Sequence, residues 1–272
     1  MENQNNNEPQ TTESQSAENQ SADAKLSAAG AKLTSMMPKT AVPQLNIGSI
    51  ISRSFSTMMK KPVVFLGLTA VAALVPAIVQ IATFPSQGGS AFGSILGSIL
   101  GMIIQATVAY AVFQIARGQS VSMAECFNRA TGHFLPILLA SILVGLLVGV
   151  GMVLLVIPGV IISCILAVTL PACVVEKLGA VDSLKRSAEL TKGNRLQIFL
   201  LYLVVGIVIG VLTFVFAMIL FSVTGLIAGT LLLTVLLIVP MAFSYVMASI
   251  IYFDLREIKE GVSLDSLAAV FD

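Results

Sequence analysis

Three long stretches of the chain carry no charge at all: residues 62–116, 130–175 and 196–253, of 55, 46 and 58 residues. A helix that crosses the hydrocarbon core of a bilayer needs roughly 20 apolar residues, at about 1.5 Å of rise each. Each stretch is therefore about two crossings long. Turn-forming residues fall near each midpoint: Pro85-Ser86-Gln87-Gly88-Gly89-Ser90, then Pro158-Gly159, then Ser222-Val223-Thr224-Gly225. The pattern predicts six membrane helices near 62–84, 92–116, 134–157, 159–175, 196–221 and 226–253, folded as three hairpins. A single helix over 134–175 would run about 63 Å against a core of roughly 30 Å. A turn at Pro158-Gly159 resolves that excess.

A short segment of mixed character precedes each hairpin, at 47–62, 122–136 and 179–195. Each has apolar positions at helical spacing around a central arginine: Arg53, Arg129 and Arg186. In the third, Val181, Leu184 and Ala188 share one helical face, while Asp182, Lys185, Arg186 and Glu189 share the other. A basic amphipathic helix lying in the headgroup plane accounts for this spacing. The fold expected is all-α: a polytopic membrane protein of six transmembrane helices in three hairpins, each preceded by a short cytoplasmic interfacial helix. Its membrane domain spans 45–256. Residues 1–44, rich in Asn, Gln, Ser, Ala and Glu, cannot bury enough apolar area to fold and are expected to be a disordered cytoplasmic tail. That tail lacks the basic and apolar regions of a signal peptide, so the first span is expected to act as an uncleaved insertion signal. Residues 257–272 form a short cytoplasmic C-terminal tail.

Composition agrees with the pattern. The 272 residues are 56% hydrophobic and 11% charged, with a mean hydropathy of +0.94, whereas soluble domains carry about 25% charged residues. An ordinary soluble enzyme, a nucleic-acid-binding domain and a disordered protein are thereby excluded. The net charge of +1 points to no partner. With six spans, all 15 Lys and Arg fall on one side, which the positive-inside rule makes cytoplasmic along with both termini. Tyr110, Tyr202, Tyr245 and Tyr252 fall near the same helix ends, where aromatic rings favour the interface.

Three motifs stand out around the second hairpin. They are Leu154-Leu155-Val156-Ile157-Pro158-Gly159-Val160, then Leu170-Pro171-Ala172-Cys173-Val174-Val175-Glu176, then Ala180-Val181-Asp182-Ser183-Leu184-Lys185-Arg186-Ser187-Ala188-Glu189-Leu190-Thr191-Lys192-Gly193. Together they resemble a bacterial superfamily of six-helix membrane proteins, which includes the membrane domain fused to some glycerophosphodiester phosphodiesterases. The likeness covers about 40 residues, and a weaker echo falls near Arg53. It implies a six-helix fold in the bacterial inner membrane. The phosphodiesterase domain of the fused members has no counterpart in these motifs, so hydrolysis does not carry over.

Small residues four apart line four of the spans: Gly93, Gly97 and Gly101; Gly145 and Gly149; Gly206 and Gly210; Gly225 and Gly229. Inside lipid, where no hydrophobic drive operates, close backbone approach stabilises helix association. These ridges are read as packing within the chain, with Gly93–Gly101 the tightest; the same ridges also suit a homo-oligomer or a membrane-protein partner. Hinge candidates are Pro76, Pro158, Gly159, Pro171 and Pro240.

Candidate chemistry is sparse. No acid, base or histidine falls within a span, whereas ion-coupled transport commonly needs one; Gln80, Gln105 and Gln114 are the most polar residues there. Cys126 and His133 are seven residues apart, about 10 Å along a helix and too far for a nucleophilic pair. Neither a metal-binding motif nor a cofactor signature is present. The positive residues beneath the inner leaflet, Arg53, Lys60, Lys61, Arg129, Lys185, Arg186, Lys192 and Arg195, are candidates to bind anionic lipid headgroups. The function expected is non-enzymatic: an inner-membrane protein serving membrane or envelope organisation through lipid or partner binding. A permease for a small or lipophilic solute is the alternative, and an enzyme acting on lipid headgroups, built from His133, Glu176 and Asp182, comes third.

Overall fold

A computed structural model describes residues 45–82, 87–119 and 122–261. The predicted disordered tail, residues 83–86 and residues 262–272 lie outside the described residues, while Gln87 to Ser90 of the predicted first turn already belong to a helix. Every regular element described is helical: α1 (Ile47–Lys60), α2 (Pro62–Ala82), α3 (Gln87–Ala116), α4 (Met123–Gly132), α5 (Phe134–Leu154), α6 (Val156–Ile165), α7 (Thr169–Val175), α8 (Ala180–Thr191) and α9 (Arg195–Glu260). The three short amphipathic segments are the helices α1, α4 and α8.

Local chemistry sets the ends of these helices. Asn46 caps α1 by accepting the Ser49 amide at 3.3 Å, which occupies one of the free N–H groups of the first turn. Pro62 opens α2 as its first residue, where a missing N–H costs nothing. The second turn is not where the Pro-Gly pair suggests. It falls at Leu155, which is extended at φ −163°, ψ 141°, and Pro158 is already the third residue of α6. A first-turn proline has no intrahelical bond to lose, so Pro158 starts the helix rather than breaking it. The predicted span over 159–175 also divides in two. Residues 166–168 leave the helix, and Pro171 again occupies the third position of the new one.

Five stretches are long and apolar enough to cross a membrane: Pro62–Ala82, Gly93–Ala116, Phe134–Leu154, Val156–Val175 and Arg195–Glu260. The last has 66 residues, about 99 Å if it were straight. It is not straight. Gly225 has φ 75°, ψ −178°, outside the helical region and open to glycine. Leu212 and Leu236 line one cavity, although a continuous helix would hold them about 36 Å apart. The chain doubles back at Gly225, and its two arms run side by side.

The C-terminal arm occupies the centre. Ten consecutive residues, Val246 to Leu255, are almost wholly buried, in a helix that as a whole packs on α1, α2, α3, α6, α7 and α8. On the outside, Leu135, Leu139, Ile142, Leu146, Val150 and Val153 form one stripe along α5 that is 46–88% exposed. Leaving such a stripe in water costs about 25 cal/mol per Å², and soluble monomers rarely display one. Hydrocarbon is its natural surround.

Only part of the glycine set packs tightly. A Cβ at Gly97 would stand 3.2 Å from Pro76, one at Gly101 would stand 3.4 Å from the Tyr245 hydroxyl, and one at Gly93 would strike Gln80. This is the Gly93–Gly101 ridge, seated on α2 and α9. A closer approach lies between α5 and α6, where a Cβ on Gly151 would come within 2.9 Å of the Gly159 Cα. At Gly145, Gly149, Gly206 and Gly210 nothing lies within 4 Å, so these four hold no neighbour close. Gly229 faces Phe221 across the reversal at Gly225.

Candidate functional site

The break between α6 and α7 frees backbone carbonyls within the apolar stretch Val156–Val175, where an unpaired one is costly. Helix α8 supplies their partners. Ser187 donates its hydroxyl to the Ile165 carbonyl at 2.8 Å, and Thr191 reaches the same oxygen at 3.2 Å. The buried face of α8 is consequently Ser183, Ser187, Leu190 and Thr191. The apolar face expected from Val181, Leu184 and Ala188 is not the docking face, and Val181 is 56% exposed. Hydrogen bonding to an opened helix, rather than hydrophobicity, sets the rotation of α8.

A cluster of charges closes the same end of the bundle. Arg186 Nε donates to both oxygens of Glu176, at 3.0 and 2.9 Å, and its Nη2 donates to Glu260. Arg256 Nε donates to Glu260 at 2.7 Å, and the Tyr252 hydroxyl donates to Glu176 at 2.6 Å. Burial opposes the Arg186 charge, yet its hydrogen bonds to Glu260 and Glu176 outweigh it and push the guanidinium further above its ordinary value. Nearby, Arg53 pairs with Asp254 at 2.5 Å, tying α1 to α9.

The eight headgroup candidates thus separate by environment. Arg53 and Arg186 turn to carboxylates. Arg129 lies 5.6 Å over the Tyr110 ring, with its buried Nε unpartnered among the described residues. Lys60, Lys61, Lys185, Lys192 and Arg195 are exposed, and Lys185 stands 4.0 Å from Asp182. Among the described residues Glu176 makes no hydrogen bond or ion pair with His133 or Asp182; its partners are Arg186 and Tyr252. Of the four tyrosines expected near the interface, Tyr252 is wholly buried. Burial, and after it the carboxylate of Glu125, push the Cys126 thiol up to about 11, which makes it a poor nucleophile.

Between the long apolar helices lies a cavity of about 790 Å³, walled by α3, α5, α6, α7 and α9. Gly145 and Gly149 widen it from the α5 side, and Leu166, Ala167 and Thr169 bring the helix break to its wall. None of its lining residues is charged. Its polar groups include Gln105 and Tyr202, whose side chains take part in no hydrogen bond among the described residues. Ser141 and Ser163 also line it but donate to their own helices, at Ile137 and Val160. Gln105 stands out in the sequence as a deep polar residue, whereas nothing in the sequence marks Tyr202 as its companion.

Of the hinge candidates, Pro76 is buried inside α2 against Gly97 and Pro240 lies inside α9, facing the other arm across an apolar groove.

The model of a domain of unknown function, DUF7847, matches residues 144–254. The matched stretch contains the cavity walls from α5 to α9 together with Glu176, Arg186 and Tyr252. Comparison with curated proteins and with solved structures gives no match.

Proposed function

We propose that this is a six-span, non-enzymatic protein of the bacterial inner membrane, with both termini cytoplasmic, that holds a lipid or another lipophilic molecule in its intramembrane cavity. The observation that carries this reading is the cavity of about 790 Å³, uncharged and largely apolar, with the free polar ends of Gln105 and Tyr202 at its wall. A mostly apolar pocket with a few polar groups orients an amphiphile. The six-span count rests on the reversal at Gly225, which turns the 66-residue α9 into two crossings. The resemblance of the motifs around Pro158, Pro171 and Arg186 to six-helix bacterial membrane proteins supports the location.

The test uses the full chain in mild detergent and native mass spectrometry. Gly145→Phe and Gly149→Phe fill the cavity from positions where a side chain meets nothing within 4 Å. The wild type is expected to carry a lipophilic mass that both variants lose while staying folded. A wild type without bound mass, or variants that keep it, would overturn the reading.

A second reading, a permease for a small or lipophilic solute, is favoured by the interrupted helix α6–α7 at the cavity wall. Discontinuous helices line the central sites of many transporters.

A further inference from the structure

Helix α1 presents a second, separate site. Arg53, Ser56, Thr57 and Lys60 follow one another at helical spacings of three, four and seven from the first, so they share one face. All four line a pocket of about 250 Å³ whose other wall is the last turn of α3 and Ile250 of α9, all apolar. The pocket is thus positive and hydroxyl-bearing on one side and greasy on the other. Lys60 lies two residues before Pro62, the first residue of a membrane stretch, which puts the pocket at the level of lipid phosphates.

The hydroxyls add a second observation. Serines and threonines of this chain commonly bond back to a carbonyl of their own helix, as Ser54 does to Ile50 within α1 itself, Thr69 to Phe65 and Thr107 to Ile103. Ser56 and Thr57 make no such bond among the described residues and keep their donors for something else. Lys60 has no carboxylate partner among the described residues, and Arg53 commits only its Nη1, to Asp254. Two cations against one carboxylate leave the pocket with net positive charge.

We infer that this pocket binds the phosphodiester of an anionic membrane lipid, with Lys60 and the free guanidinium edge of Arg53 on the phosphate oxygens, Ser56 and Thr57 donating to them, and the glycerol carbons against α3 and Ile250. Charge-assisted hydrogen bonds of this kind are the strong ones. The inference rests on the membrane reading above but not on the occupancy of the large cavity.

The experiment titrates the full chain in dodecyl maltoside with dioleoyl phosphatidylglycerol, read by native mass spectrometry. It uses Lys60→Gln and the pair Ser56→Ala, Thr57→Val; these leave the Arg53–Asp254 bridge intact. Lys61→Gln removes an equal charge one residue outside the pocket. Retention of one phosphatidylglycerol is expected to fall about tenfold in the Lys60 and double hydroxyl variants and to stay at the wild-type level in Lys61→Gln. Equal losses for Lys60 and Lys61, or no loss in the hydroxyl variant, would overturn the site. Displacement of the lipid by sodium phosphate would assign the pocket to free phosphate and overturn the lipid assignment. Variants Gly145→Phe and Gly149→Phe keep this lipid, which separates failure here from failure at the cavity. Recovery of the protein with carbonate-washed membranes tests the membrane reading by itself.

Discussion

Ser187 donates its hydroxyl to the Ile165 carbonyl at 2.8 Å, joining two residues 22 positions apart across the break between α6 and α7. Because Thr191 reaches the same oxygen, either hydroxyl can satisfy it. Ser187→Ala alone is therefore expected to cost less than 1 kcal/mol or so, a typical net hydrogen bond. Ser187→Ala with Thr191→Val leaves the carbonyl orphaned and should cost about 1–3 kcal/mol. Thermal unfolding in detergent, followed through a dye that reacts with the buried cysteines, reads both; additive losses would show that the two hydroxyls act independently.

Arg186 holds two carboxylates, at Glu176 and Glu260, on three segments of chain. Replacing it with Gln leaves both acids without their shared cation. The expected loss is about 2 kcal/mol, below that of a fully buried pair because its side chain is 23% exposed. Lysine restores the charge but not the two fixed donors, Nε toward Glu176 and Nη2 toward Glu260, so Arg186→Lys should recover only part of the loss. Unfolding midpoints of the three proteins decide the matter.

The glycines predict opposite outcomes for the same substitution. Gly151→Ala forces a methyl to within 2.9 Å of the Gly159 backbone, and overpacking of this kind costs about 1–3 kcal/mol. Gly145→Ala meets nothing within 4 Å and replaces a flexible residue inside a helix, which should stabilise by about 0.5–1 kcal/mol. Melting curves of the pair that move together would refute the tight α5–α6 crossing.

Cys126 is expected to resist alkylation by N-ethylmaleimide at pH 8 until the protein unfolds, measured by mass spectrometry in a background with Cys164 and Cys173 replaced by Ala. Its thiol is held up to about 11 in the folded chain against 9.0 ordinarily. Between those values the unfolded chain binds fewer protons than the folded one, so this group makes stability fall as pH rises. Cys126→Ala should flatten that part of the pH profile.

The helical class and the places of the charge-poor stretches were legible because charge is excluded from hydrocarbon, a rule that acts on every residue of a span. The three short helices α1, α4 and α8 were legible for the related reason that amphipathic spacing survives in sequence. What escaped was decided by single contacts. Pro158 and Pro171 read as breakers, yet a proline in the first turn of a helix interrupts nothing. Val181, Leu184 and Ala188 read as the apolar face of α8, but the face that packs on the break is set by a carbonyl, which polar Ser187 and Thr191 meet. Glu176 carried no sign of Tyr252, 76 residues away. The cavity depends on where α5 and the first arm of α9 stand apart, and Gly145 and Gly149 look the same in sequence whether a neighbour is present or missing.

The capped break at Ile165 also imposes an order on biosynthesis. The carbonyl that must be satisfied is made 22 residues before Ser187, its nearer donor. At about 5–20 residues per second of translation, it waits roughly one to five seconds for its donor. During that interval the emerging α6–α7 segment cannot have its final shape within the lipid. Water or the insertion machinery must serve the carbonyl until α8 arrives, so the last step in closing this break is the arrival of a helix that is made after it.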